Sequence, residues 1–348
     1  MLFQENQSLK SLNTFGVDAK ARWFCALRDR SETVPFLEHL SRLNKPLLVL
    51  GGGSNILFTQ DFEGVVLKME MTGIDILEET ADRVIVKVGA GTCWDEFVSL
   101  CSEKGWAGVE NLSLIPGTTG GGPIQNIGAY GAEIGEVISE VTYTEISTGR
   151  ECSLEREQCR FGYRNSIFKN ELRGKAIITQ VTFSLTVQHS APQHLTSSPP
   201  RLRLDYGSIR RELQTMGVND PGVGDVRNAV IRIRRSKLPD PAELGNAGSF
   251  FKNPVIPADQ GQALKERYPD ITVWPDPAGM KIPAAWLIEQ CGWKGKRIGQ
   301  AGVHINHPLI LVNHGGATGP GILCLAGQIR DSVLEKFGIA LELEVNVI

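Results

Sequence analysis

Two glycine-rich segments are the first places where this sequence could do chemistry. Gly51-Gly52-Gly53-Ser54-Asn55 follows the apolar run Leu47-Leu48-Val49-Leu50. Several backbone N–H groups can therefore converge on one anion with no Cβ atoms in the way. The second segment, residues 113–131, carries Ile115-Pro116-Gly117-Thr118, Gly120-Gly121 and Gln125-Asn126-Ile127-Gly128-Ala129-Tyr130. It is too apolar for an exposed loop and is expected to lie buried against a ligand. A dinucleotide-binding turn is excluded by spacing: Ile56 stands where the third glycine belongs, and about ten residues before the next strand leave no room for a crossover helix. No phosphate loop of the G-x-x-x-x-G-K-[ST] type occurs. His304, His307 and His314 could suggest a metal, but no carboxylate or thiol completes a ligand set at helical spacing, and no metal is expected.

The elements that must position these segments are short and mixed. Residues 47–50, 64–67, 83–88 and 177–187 alternate or cluster apolar residues as strands do, whereas 94–101 has helical spacing with Gly105 as its stop. Residues 189–200 are polar and proline-rich, and 217–225 form a second break, with Leu204-Asp205-Tyr206-Gly207-Ser208 as an island between them. Helices are expected at 226–237, 258–268, 284–291 and 322–337, and strands at 309–313 and 339–347. The class is α+β. The expected organisation is a first domain over 1–187 with two subdomains split near 67, a linker and loop over 188–225, and a second domain over 226–348 whose last strand returns to the site.

Four motifs in consistent order then carry a resemblance: Leu50-Gly51-Gly52-Gly53-Ser54-Asn55; residues 115–131; Cys159-Arg160-Phe161-Gly162-Tyr163-Arg164-Asn165-Ser166; and Gly245-Asn246-Ala247-Gly248-Ser249-Phe250-Phe251-Lys252-Asn253-Pro254. The chain closely resembles the UDP-N-acetylenolpyruvylglucosamine reductases, of the type with a tyrosine loop. The resemblance implies an FAD-binding domain of the vanillyl-alcohol oxidase and p-cresol methylhydroxylase type, plus a separate α+β substrate-binding domain. It implies NADPH as reductant and a UDP-sugar enolpyruvyl ether as substrate. The two glycine segments would hold FAD, through Gly51, Gly52, Gly53, Ser54, Asn55, Ile115, Pro116, Gly117, Thr118, Gly120, Gly121, Gln125, Asn126, Gly128, Ala129 and Tyr130. Arg164 resembles the family arginine that stabilises the developing enolate, and its planar fork suits that charge. Ser249 resembles the proton donor to carbon, a role that a weakly acidic hydroxyl fills only toward a strongly basic carbanion. Glu344 resembles the third catalytic group, although alternation puts Glu342 on the same strand face and spacing alone does not choose between them. Tyr206 resembles the tyrosine that closes over substrate, and Lys237 and Asn253 resemble ligands of the UDP diphosphate and NADPH. Arg232, Arg234 and Arg235 add local positive charge.

Composition narrows the alternatives. The 348 residues carry Lys+Arg 36 against Asp+Glu 39, a net −3, with 41% hydrophobic residues and 38 glycines. No basic run marks a nucleic-acid or membrane partner. No stretch approaches a membrane span and the start has no signal-peptide order, so a cytoplasmic protein is expected; it is also expected to be a monomer. Seven cysteines with no C-x-x-C spacing are expected to be reduced and mostly buried. The competing readings are an oxidase of the wider flavin fold and a non-catalytic nucleotide-binding module. The first commonly ties flavin to His or Cys, and only His39 precedes His189, far from both glycine segments.

Overall fold

A computed structural model describes residues 3–188 and 202–348. The proline-rich stretch 189–200, expected as linker, lies outside the described residues. By internal contacts the chain divides into two units, one of Met1–Gln7, Ala21–Gly52 and Glu63–Ser236, the other of Ser8–Lys20, Gly53–Phe62 and Lys237–Ile348.

The first unit holds two large sheets and a two-stranded hairpin of Gly128–Ala129 and Ala132–Glu133. A four-stranded sheet runs Gln4–Ser8, Lys20–Leu27, Phe62–Met69, Leu47–Leu50, the last pair parallel. Val65, Val66 and Leu67 are all fully buried, which explains an apolar run without alternation: both faces of that strand are covered. The helix Thr33–Leu43 buries Thr33, Phe36, Leu37 and Leu40, one stripe at helical spacing. The second sheet is antiparallel, in the order Glu151–Glu155, Ile138–Glu145, Ala176–Val187, Arg83–Gly89, Ile74–Glu79, with Trp106–Ala107 also on the central strand. The helix Trp94–Lys104 ends at Gly105, as its spacing requires, and buries Trp94, Phe97, Val98 and Cys101. Trp94, Phe97 and Phe183 form an aromatic triangle with centroids 4.9–6.0 Å apart.

A boundary at 226 does not hold. The helix Val223–Lys237 packs Val226, Ala229, Val230 and Ile233 against Ile209 and Leu213 of a helix over Gly207–Thr215, and this pair forms its own core within the first unit. Residues 207–215, expected as part of a loop, are helical for the same reason: Ile209 and Leu213 share one face.

The second unit is built on the antiparallel order Gly245–Ser249, Ile310–Asn313, Ala301–Val303, Arg297–Ile298, with a small sheet of Val255–Ile256, Gly279–Lys281 and Trp274–Asp276. Phe15, Val17 and Leu57 bury in its core beside Phe250, Phe251, Ile322, Leu325 and Ile329, which is why 8–20 and 53–62 belong here and not to an uninterrupted first domain. Helices cover Ala258–Arg267, Ala284–Gln290 and Gly319–Phe337. The last begins three residues before Ile322, where the Thr318 hydroxyl accepts from the Gly321 N–H at 3.2 Å.

The expected strand over 339–347 is also corrected: only Asn346–Val347 is regular, parallel to Ile56–Leu57. The tail changes partner midway. Glu344 N–H donates to Phe250 O and Lys252 N–H to Glu342 O, each at 2.9 Å, whereas Asn346 and Ile348 N–H donate to Asn55 O and Leu57 O. Of the seven thiols, Cys25, Cys101 and Cys159 are buried, Cys152 and Cys291 partly covered, and Cys93 and Cys324 exposed. Fewer are buried than expected, because Cys93 precedes a helix and Cys324 lies on the outer face of another.

Truncating Phe183 to Ala removes the shared ring of the aromatic triangle and is expected to destabilise the first unit by about 3–5 kcal/mol. Leu334→Ala, at a half-exposed helix position, should stay within about 0.5 kcal/mol. Urea denaturation of both variants checks the contrast.

Candidate functional site

In the first unit, the strand Leu47–Leu50 delivers Gly51 and Gly52 against the second glycine segment. A Cβ on Gly52 would stand 2.7 Å from Gly117 Cα, and one on Gly51 2.5 Å from Thr118 Oγ1. The two segments thus touch backbone to backbone, which no side chain at 52 would permit. Thr118 Oγ1 is buried at this junction without a hydrogen-bond partner, a hydroxyl that could donate to an oxygen of a bound anion. Lys68 Nζ donates to Gly51 O at 2.6 Å and brings a part-buried cation to the same place, where burial depresses its pKa. The N–H groups of Thr119, Gly120 and Gly121 donate to Thr92, Ala90 and Thr118 carbonyls at 2.9 Å, so Gly120 and Gly121 use theirs to hold the loop. Ile115, Pro116, Gln125 and Ala129 lie along the same segment, none fully buried.

The turn bearing Arg164 docks on that segment. Arg164 Nη2 donates to Gly128 O at 2.8 Å, and its guanidinium lies 5.3 Å from the Tyr163 ring centroid. Asn126 is buried and engaged within the protein: Nδ2 donates to Glu133 Oε2 at 2.7 Å and Gly162 O at 3.0 Å, and Oδ1 accepts from Gly135 N–H at 2.9 Å. It acts as a clamp between the segment and the turn. Leu114, Asn126, Tyr130 and Arg164 all hold φ between +48° and +59°, left-handed backbone that costs side-chain-bearing residues roughly 1–3 kcal/mol each. Arg160 is left-handed too, at φ +49°, and pairs at the surface with Glu171.

Tyr206 precedes the helix Gly207–Thr215 and is 49% exposed, its ring edge-on to Tyr130 with centroids 5.4 Å apart. Arg234 interacts electrostatically with the Tyr130 hydroxyl; burial raises the pKa of the tyrosine hydroxyl and lowers that of the guanidinium. Of its neighbours, Arg232 pairs with Glu212 at 2.9 Å and Arg235 is exposed. Arg227 grips Asp95 with two bonds, 2.7 and 3.0 Å, and the left-handed Leu114 donates its N–H to the same carboxylate at 2.5 Å. Burial works to raise the Asp95 pKa, but these hydrogen bonds outweigh it and hold the carboxyl below its ordinary value. Asp95, Arg227 and Lys68 were not singled out from sequence. Only Lys68 left a trace there, as a charge closing a run of buried apolar residues.

In the second unit, Ser249 closes the strand Gly245–Ser249 after a break in register between Asn246 and Ser249. Gly248 takes φ +68°, and its N–H is held by Asn246 Oδ1 at 3.0 Å, while Asn246 Nδ2 donates to Leu244 O at 2.8 Å. This clamped bulge redirects the half-buried Ser249 ahead of Phe250 and Phe251, which are fully covered. The 2.9 Å bond from Glu344 N–H to Phe250 O brings the tail alongside. The structure also separates the two glutamates: Glu342 is exposed and paired with Lys252 at 2.8 Å, whereas Glu344 is half-buried and its carbonyl accepts from Asn55 Nδ2 at 3.3 Å. Gly53, Ser54 and Asn55 belong to this unit, so the first glycine motif is divided after Gly52. Asn253 caps the helix Ala284–Gln290, its Oδ1 accepting from Ala284 N–H at 3.0 Å, and Lys237 is exposed at the end of its helix.

The family model for the C-terminal domain of UDP-N-acetylenolpyruvoylglucosamine reductase matches residues 240–348, and an FAD binding domain model matches residues 22–154. The chain is 47% identical over 344 residues to the UDP-N-acetylenolpyruvoylglucosamine reductase of Chromobacterium violaceum, 98% of each chain. It is 46% identical over 345 residues to that of Pseudomonas aeruginosa, covering 99% of this chain and 98% of the relative. A solved structure of UDP-N-acetylenolpyruvylglucosamine reductase (MurB) from Thermus caldophilus shares the fold, with TM-score 0.66 at 23% identity over 99% of this chain and 98% of that one.

The depressed Asp95 pKa has a signed consequence. The ion pair contributes stability above the unfolded carboxyl value, about 3.9, and loses it as pH falls through the lower folded value. Asp95→Asn should therefore be less stable than wild type at pH 7, and the gap should close under acid, as urea midpoints at a series of pH values would show.

Proposed function

The chain belongs to the UDP-N-acetylenolpyruvoylglucosamine reductase family, and on that premise we propose which of its residues reduce the enolpyruvyl ether of UDP-N-acetylglucosamine. The protein is an FAD-containing, NADPH-dependent oxidoreductase of peptidoglycan precursor synthesis. The proposal extends to a monomer acting in the cytoplasm; among the described residues, no helix is long and apolar enough to cross a membrane.

The first unit fits a diphosphate: the unsatisfied Thr118 hydroxyl, the Lys68 ammonium and the exposed Gly52 backbone converge at the junction of the glycine segments. Gly51, Gly52, Gly117 and Thr118 would hold the FAD diphosphate there. The chemistry supplied by bound FAD is relay of a hydride from NADPH to the terminal carbon of the ether. Negative charge then develops on the fragment bearing the carboxylate, and the planar guanidinium of Arg164, held by Gly128 O, stabilises it. The Ser249 hydroxyl delivers a proton to the adjacent carbon, completing the reduction, with Glu344 assisting the enol. Tyr206, Lys237 and Asn253 contact the UDP-sugar. The observation that supports the assignment of the donor is the bulge at Gly248, clamped by Asn246, immediately before Ser249, whose neighbour Phe250 accepts from the Glu344 N–H.

Ser249→Ala should leave flavin reduction by NADPH near wild type and slow flavin reoxidation by substrate about 10²–10⁴-fold in stopped-flow traces. Equal losses in both half-reactions would remove Ser249 from the donor role. Arg164→Lys should also fall steeply in the second half-reaction, because one ammonium does not reproduce the fork. Gly52→Val, whose side chain would enter Gly117, should purify without bound flavin, read from its absorbance spectrum.

A further inference from the structure

Residues 202–206 are tied onto the second glycine segment by two side chains that nothing in the reaction requires. Asn111 is 1% exposed and points its amide at two carbonyls, Tyr130 O at 2.9 Å and Arg203 O at 3.0 Å. Arg203 runs the other way: Nη1 donates to Gly131 O at 2.7 Å, and the guanidinium pairs with Glu136 at 2.8 Å. Leu202 and Leu204 pack on the same small core as Tyr130. The segment is therefore fixed at 202, 203 and 204, and Tyr206 projects two residues later onto the edge of Tyr130. Tyr130 is itself held by Asn111 at its carbonyl and by Tyr206 at its ring. Its left-handed φ of +51° persists because these contacts over-determine it.

We infer that Asn111 and Arg203 are positioning residues, latching 202–206 across 130–136 and so setting where the Tyr206 ring stands for substrate. A short strap with one exposed ring has little order of its own. Each immobilised side chain and backbone residue would otherwise be ordered at the moment of binding, at a cost in affinity. The bonds of the latch offset part of that cost when the tyrosine closes over substrate. The inference rests on the reading that Tyr206 contacts the UDP-sugar, and the test separates the two.

Steady-state kinetics are measured for Arg203→Gln, Glu136→Gln and Tyr206→Ala, and for Arg203→Gln combined with Tyr206→Ala. Arg203→Gln should raise KM for the UDP-sugar about three- to tenfold, the scale of a half-exposed ion pair plus a charge-assisted hydrogen bond. The turnover number and the rate of flavin reduction by NADPH should stay near wild type. Arg203→Lys, which keeps the charge, should recover part of the KM. In the Tyr206→Ala background the Arg203 effect should vanish. Equal KM increases in both backgrounds, or an unchanged KM in Arg203→Gln while Tyr206→Ala raises it, would overturn the latch. An unchanged KM in Tyr206→Ala would overturn the substrate contact itself and the latch's role with it. Should Arg203→Gln not fold, Glu136→Gln, which removes only the ion pair, carries the same expectations.

Discussion

Everything at the site in the first unit depends on the approach of Gly52 to Gly117, two backbones meeting where even a methyl group would collide. From that contact, order spreads through directional bonds. Lys68 reaches the Gly51 carbonyl, the Thr118 hydroxyl is enclosed, and Thr119 and Gly120 lace the loop to Thr92 and Ala90. Beyond the loop, Trp94 N–H donates to Gly117 O, which places the first turn of the helix Trp94–Lys104 so that Asp95 meets both Leu114 and Arg227. The apolar core of this unit supplies burial energy, but that energy is non-directional. The glycine contact and its hydrogen bonds set the loop's shape.

The second unit reaches precision by another device. Its strand is interrupted before Ser249, and a single buried amide, Asn246, satisfies the bulge. Buried polar groups held in this way specify one geometry, because any slip leaves a donor or acceptor unmatched.

What could be read in the sequence follows from how local each cause is. The helix over 94–104 was legible because Trp94, Phe97, Val98 and Cys101 repeat at helical spacing and Gly105 stops it. The glycine segments were legible because close backbone approach has few other solutions. Less local causes were invisible. Alternation through Leu341, Leu343 and Val345 suggested one continuous strand, and no pattern marks the change of partner from Phe250 to Asn55. Asn126 looked available to a ligand because nothing in the chain announces that Glu133, Gly135 and Gly162 engage it. By spacing alone Glu342 and Glu344 were equivalent, and nothing in the sequence marks that Lys252 pairs with the first.

The left-handed backbone at Leu114, Asn126, Tyr130 and Arg164 bears on how this protein can evolve. Glycine would relax the backbone at each of the four, but it would delete the Asn126 amide clamp and the Arg164 guanidinium and would loosen the unfolded chain, so it is no route to stability there. Heat-adapted descendants would have to gain their stability at the periphery and leave the strained centre intact.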